Sequence, residues 1–329
     1  MIVDAHLDLA YNAMLGRDLT LSLTDLRERD ALSDVPAVTF GELRRGGVGL
    51  CLGTLFAMPQ DDEHPWGYED WRGARQQAVR QLDQYLRWQD DGHVVILTTG
   101  ADVRAHADAW SAETSPLGVV LLMEGADAMR DADELPFWVE RGVRVVGPAW
   151  KRTRYSGGTD APGGLTDRGR ELMIAMQELR VVLDASHLAE QAYWDTRDYE
   201  LEVIASHSNA RALVPTDRHL TDDMLRDLHA RDGMVGVVLY NKFLQHGWER
   251  GHARPPLERV AVMLRHMAGV VGWARLGIGS DLDGGFGVSE LPAEFRSAAD
   301  VARLAECVPD EHRDGFMGAN WVTWLERHL

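Results

Sequence analysis

Lysine is almost missing from this chain. Two residues, Lys151 and Lys242, stand against 32 arginines, so few side chains could form a Schiff base. The bias fits a GC-rich bacterial genome. Cysteine is equally scarce. Cys51 and Cys307 are too few for a disulfide framework or a zinc ribbon, and they suit a reducing cytoplasm. No apolar run approaches the roughly 20 residues that span a bilayer. Basic charge is short overall: 34 Lys and Arg against 52 Asp and Glu leave a formal charge of -18. Such a surface repels phosphate backbones and excludes nucleic acid as the main partner. No repeat or low-complexity tract is visible.

What is present is a large core and a recurring pattern. Hydrophobic residues make up 45% of the 329, enough for one large α/β domain over 1–329. Short apolar runs recur at Ile2–Ala5, Val48–Thr54, Val119–Met123, Val143–Val146, Val181–Asp184, Val203–Ser206, Met234–Leu239 and Leu276–Gly279. They lack polar alternation, as strands of a parallel sheet buried on both faces do. Helical spacing fills the intervals at Asp70–Gln89, Thr166–Glu178, Thr221–Arg231 and Leu257–Val271. The alternation predicts a (β/α)8 TIM barrel, with Val94–Thr98 a ninth strand candidate. A doubly wound open sheet is the other reading. Against it, no glycine-rich turn follows the first strand. Gln60–Gly67 reads as a surface insertion, and Ser156–Gly164 as a flexible loop over the end of strand 4.

Chemistry-bearing residues fall at the ends of these runs. Strand 1 ends in His6-Leu7-Asp8, strand 3 in Glu124-Gly125, strand 5 in Asp184-Ala185-Ser186-His187, strand 6 in Ser206-His207-Ser208-Asn209 and strand 8 in Ser280-Asp281-Leu282-Asp283. In a barrel these C-terminal ends share one mouth, where active sites sit. Taken singly, a histidine after a strand is more often a hydrogen-bonded structural residue. His6 and Asp8 carry more weight, because residues i and i+2 of an extended chain point to the same side. Glu124 directly after Val-Val-Leu-Leu-Met is also unusual, since an unpaired carboxylate beside a buried run is costly. Three histidines and three carboxylates converging at one end predict a metal site. The mix suits zinc or a similar divalent ion, and five or so ligands match two ions sharing a carboxylate.

These segments resemble the membrane (renal) dipeptidase family, peptidase family M19. The resemblance rests on Asp4-Ala5-His6-Leu7-Asp8, Met123-Glu124-Gly125, Asp184-Ala185-Ser186-His187, Ile204-Ala205-Ser206-His207-Ser208-Asn209-Ala210-Arg211 and Gly277-Ile278-Gly279-Ser280-Asp281-Leu282-Asp283-Gly284. It continues weakly through Gly318-Ala319-Asn320. It implies a TIM barrel holding two zinc ions per chain, with other divalent ions allowed. By the resemblance His6 and Asp8 hold the first ion, Glu124 bridges both, and His187 and His207 hold the second. Asp281 becomes the acid/base and Arg218 the partner of the substrate carboxylate. One position departs from the family. Trp150 stands at or beside a histidine that contacts the scissile carbonyl. An indole has one N–H donor and no acid/base capacity, so Trp150 is expected to line the pocket wall.

The expected activity is zinc-dependent hydrolysis of an L-L or L-D dipeptide by a metal-bridging hydroxide. Other readings are hydrolysis of an N-acyl amino acid or related amide, a urease-type relative using Lys151, and a barrel kept as a non-catalytic binding protein. The substrate is a small molecule, with neither nucleic acid nor a membrane as partner. Family members often pair, which leaves a homodimer open. Met1-Ile2-Val3 runs straight into Asp4-Ala5-His6, so no secretory signal is expected and the protein reads as soluble and cytoplasmic.

Overall fold

The computed structural model describes residues 1–329. Eight parallel strands form a closed barrel: β1 (Ile2–Leu7), β2 (Val48–Phe56), β3 (Leu117–Glu124), β4 (Val143–Gly147), β5 (Val182–Asp184), β6 (Val203–Ala205), β7 (Met234–Val237) and β8 (Leu276–Ile278). β1 pairs with both β2 and β8, and β2 pairs with β3, so no edge is left open. Helices lie between the strands, which makes the fold a (β/α)8 TIM barrel. All nine residues of β2 and all eight of β3 are buried, as their unbroken apolar runs require.

The ninth candidate is a real strand, but it lies outside the barrel. Val94–Ile96 pairs only with β3, from Val94 opposite Leu117 to Ile96 opposite Val119. β4 meets β3 only from Leu121 onward. The extra strand therefore satisfies backbone groups at the start of β3 that β4 does not reach. Ser156–Gly164 is corrected. It is an antiparallel hairpin of Ser156–Gly158 with Ala161–Leu165, not a flexible loop. Its glycines hid the strand signal, yet they are needed for close packing: a Cβ on Gly158 would lie 2.3 Å from the Lys151 carbonyl oxygen. Gln60–Gly67 carries no helix or strand, in keeping with a surface insertion.

Three of the expected helices begin at a side-chain cap. Asp70 caps Trp71–Asp90, Thr166 caps Asp167–Leu179, and Thr221 caps Asp222–Ala230, each accepting a backbone N–H of the first turn. No helix is long and apolar enough to cross a membrane.

The two ends of the barrel differ in chemistry. Val3, Ala5, Leu50, Leu52, Val120, Leu122, Val145, Val182, Ile204 and Met234 form one buried cluster with Trp321, Trp324 and Leu325. The last three belong to the C-terminal helix Asn320–His328, which stoppers the N-terminal end with hydrocarbon. Trp321 also donates its indole N–H to the Ile278 carbonyl at 3.1 Å. The C-terminal ends of the strands are left to polar residues.

Candidate metal centre

His6, the next-to-last residue of β1, is fully buried, and Asp8, just beyond the strand, is 6% exposed. Glu124 ends β3, while His187 and His207 follow β5 and β6 by three and two residues. Barrel closure, with the short segments that follow three of the strands, brings these five together. His6 Nε2 lies 3.5 Å from Glu124 Oε2 and 3.9 Å from Asp8 Oδ1. On the other side, Glu124 Oε1 lies 3.2 Å from His187 Nε2 and 3.5 Å from His207 Nε2. The two oxygens of Glu124 thus face different groups. Donor atoms of His6, Asp8 and Glu124 all lie within 4.8 Å of one another, as do those of Glu124, His187 and His207. A third such set joins His6 and His207 to Asp281, whose Oδ1 is 4.0 Å from His6 Nε2.

Two of these residues hold an unusual backbone. His187 has φ of 66° and Asp281 of 60°, a left-handed conformation that costs a non-glycine residue roughly 1–3 kcal/mol. Such outliers persist where the surrounding structure holds a side chain to a task.

The electrostatics call for a cation. Burial opposes a charge on His6, but Glu124, Asp8 and Asp281 overcome it and push the imidazole up to about 10. Burial and the Glu124 charge raise Asp8 to about 6. Burial raises Asp281 well above the carboxylate range, with Asp8 and Glu124 adding to the shift. Glu124 goes the other way: burial opposes its charge, but His6 and His187 hold it low. Burial and Arg218 bring His187 down to about 4. His6 Nε2 has no hydrogen-bond partner, and His187 Nε2 faces His207 Nε2 at 3.0 Å. Facing ring nitrogens and a buried excess of carboxylate fit divalent cations with nitrogen and oxygen ligands.

Arg218 is 4% exposed and is no surface residue. It donates to the His207 carbonyl at 2.8 Å and the Ser208 hydroxyl at 3.3 Å, and its guanidinium lies over the Phe243 ring. Burial pulls its pKa below the ordinary arginine value, against the pull of Asp281 and Glu124. Trp150 lies three residues past the end of β4, half-buried, edge-on to Phe56 at 5.2 Å. All eight predicted site residues except His6 line one cavity of about 240 Å³; His6 is fully buried beside Glu124.

Sequence reasoning missed several lining residues. Tyr11, Phe56 and Met58 form a small apolar cluster against Trp150, and Tyr240, Phe243 and Phe286 line the same cavity. Nothing in their spacing separates them from core aromatics. Thr159 was also missed. It lies in the hairpin read as a loop, with its hydroxyl 2.9 Å from His187 Nδ1. Lys151, the residue a urease-type site would need, is half exposed with its ammonium 3.7 Å from Asp61.

Comparison with known proteins agrees with this geometry. The family described as membrane dipeptidase, peptidase family M19, matches residues 1–320. An uncharacterized protein from the pqqA 5' region of Klebsiella pneumoniae is 32% identical over 226 residues, 65% of this chain and 82% of that protein. Among solved structures, dipeptidase AC, a metallo peptidase of family M19, superposes with a TM-score of 0.83 at 26% identity, covering 99% of this chain and 98% of that one. A metallo peptidase from Rhodobacter sphaeroides, liganded with a phosphinate mimic of L-Ala-D-Ala, superposes with a TM-score of 0.82 at 25% identity, covering 100% and 99%.

Proposed function

The chain belongs to the membrane dipeptidase family, peptidase family M19, and is a metal-dependent dipeptidase; from that premise we propose that it hydrolyses dipeptides with a free C-terminal carboxylate, using two divalent ions that share Glu124. The observation that carries the proposal is the division of labour in Glu124, with Oε2 toward His6 and Oε1 toward His187 and His207. His6 and Asp8 would hold one ion, His187 and His207 the other, and zinc suits this donor set. When bound, such ions polarise a carbonyl and activate water at neutral pH.

The remaining work falls to the chain's own side chains. Asp281, buried beside the cluster with Oδ1 4.0 Å from His6 Nε2, accepts the proton of the attacking water and returns it to the leaving amine nitrogen. Arg218 pairs with the α-carboxylate of the substrate and limits the site to short peptides. The cavity of about 240 Å³ sets the same limit by volume. The apolar group Tyr11, Phe56, Met58 and Trp150 takes a side chain and keeps water from the reacting bond. The Rhodobacter sphaeroides neighbour, with its L-Ala-D-Ala mimic, supports a dipeptide substrate and brings L-D peptides within range.

A second reading is hydrolysis of an N-acyl amino acid. It has in its favour the largely hydrocarbon and aromatic surface of that four-residue wall, which would accept an acyl chain. Turnover of a panel of L-L dipeptides, L-D dipeptides and N-acyl amino acids by zinc-loaded protein separates the two. Cleavage of dipeptides is expected, and a preference for N-acyl amino acids would overturn the first reading.

A further inference from the structure

We propose that Ser206, anchored by Asp184, is a positioning residue that sets the ring-proton arrangement of His6 and His207 together, so that one hydroxyl prepares a ligand for each of the two ions. The inference rests on the reading of His6 and His207 as ligands of different ions.

The argument is one of donors and acceptors. Ser206 Oγ lies 2.5 Å from Asp184 Oδ2, 2.8 Å from His207 Nδ1 and 3.1 Å from His6 Nδ1. A hydroxyl has one proton to donate and two lone pairs to accept with. Asp184 Oδ1 already accepts the backbone N–H groups of Ser186 at 3.0 Å and Ser206 at 2.9 Å, which pins the carboxylate in place as an acceptor. The hydroxyl proton of Ser206 therefore goes to Oδ2. The remaining lone pairs can only accept; Ser186 Oγ, at 3.4 Å, is the most distant neighbour of this oxygen, and the two nearer ring nitrogens take them, so His6 and His207 each present Nδ1–H to it. Each ring is then left with Nε2 as the atom that faces the cavity floor. Those are the atoms 3.5 Å from the two oxygens of Glu124. All three of Asp184, Ser206 and His207 are buried, so water does not compete for these bonds. The two imidazoles also lie against each other, tilted by 32° with ring centroids 3.6 Å apart, so neither can rotate alone. His187 is held separately, by the Thr159 hydroxyl on its Nδ1.

The two residues give different tests. Ser206→Ala removes the shared acceptor. Asp184→Asn keeps size and shape but reverses a bond. The amide oxygen must stay on the two backbone N–H groups, so the amide NH2 faces Ser206 Oγ and turns the hydroxyl proton toward a histidine Nδ1. That nitrogen must then accept, and its ring offers N–H rather than a lone pair to the ion. Outer partners of metal ligands are typically worth 10–100-fold in affinity.

The experiment is calorimetric titration of chelator-treated protein with Zn²⁺, with circular dichroism to establish that each variant is folded. Ser206→Ala is expected to weaken both ions by about 10–100-fold, Asp184→Asn to weaken at least one, and Thr159→Val to weaken one only. Where Ser206→Ala does not fold, the isosteric Asp184→Asn carries the test. Nitrogen NMR of histidine-labelled parent protein with Zn²⁺ bound should find Nδ1 protonated in His6 and His207. A folded Ser206→Ala that keeps parent affinity for either ion, or an Asp184→Asn that keeps it for both, overturns the inference while leaving the ligand assignment standing. A parent protein that binds fewer than two ions overturns the ligand assignment itself, and the inference with it.

Discussion

At the scale of single residues, Asp281, Arg218 and Trp150 carry separable roles. Asp281→Asn should remove turnover while leaving most metal bound, because the side chain is assigned to proton transfer. General acid–base help is typically worth 10²–10⁴-fold. Elemental analysis alongside the rate checks this, and loss of both ions would make Asp281 a ligand instead. Arg218→Ala should act on free dipeptides. A charge-assisted hydrogen bond contributes about 1.5–3 kcal/mol, hence roughly 10–150-fold in kcat/KM. C-terminally amidated dipeptides should be poor substrates of the parent and lose little more. Equal rates on free and amidated peptides would remove Arg218 from substrate binding. Trp150 packs on Phe56 in the cavity wall, so Trp150→His should reorder the preferred side chains. A uniform rate gain over the whole panel would mean that the position lacks a polar group rather than shape.

At the scale of elements, the site depends on how closely three strand ends approach. A Cβ on Gly279 would stand 1.8 Å from the Ser206 carbonyl oxygen, and one on Gly236 would stand 1.9 Å from the same atom. That atom belongs to backbone and cannot swing away as a side chain tip would. Overpacking of this kind typically costs about 1–3 kcal/mol, and more where the backbone must move. Gly279→Ala should therefore lower the thermal midpoint and also weaken zinc binding, because the shifted segment carries Ser206 and His207. Calorimetry of the metal-free and zinc-bound forms would separate the two effects. Unchanged zinc affinity with a lowered midpoint would mean that the strain is absorbed away from the site. The hairpin at Ser156–Leu165 works at the same scale: it carries Thr159 to His187, a contact that a flexible loop would not hold.

At the scale of the whole molecule, stability is tied to the cations. Asp8, Glu124 and Asp281 are buried with three histidines in a chain whose formal charge is -18. Ions that bind only the folded chain add about 2.7 kcal/mol per site at a hundred times the dissociation constant. Chelation should lower the melting temperature, and added zinc should restore it with two ions per chain by elemental analysis. A melting temperature indifferent to chelator would argue against the buried site.

How much of this the chain of letters carried follows from the range of each interaction. Burial on both faces is written locally, so β2 and β3 were legible as apolar runs and the helices by their helical spacing. His6, Asp8, Glu124, His187, His207 and Asp281 were legible because a barrel sends every strand end to one mouth, whatever the sequence distance. The hairpin was not legible, because Gly157, Gly158, Gly163 and Gly164 read as loop until a neighbouring backbone is seen to need their space. The aromatic cavity wall was not legible either. Tyr11, Phe56 and Phe243 have the same spacing as core residues, and only closure of the barrel decides which aromatic faces a cavity. The Ser206 hydrogen bonds lie further still from sequence. The residue types were in plain view, but the direction of each bond depends on which lone pairs three strands bring within 3 Å or so of one oxygen, and only the tertiary structure decides that.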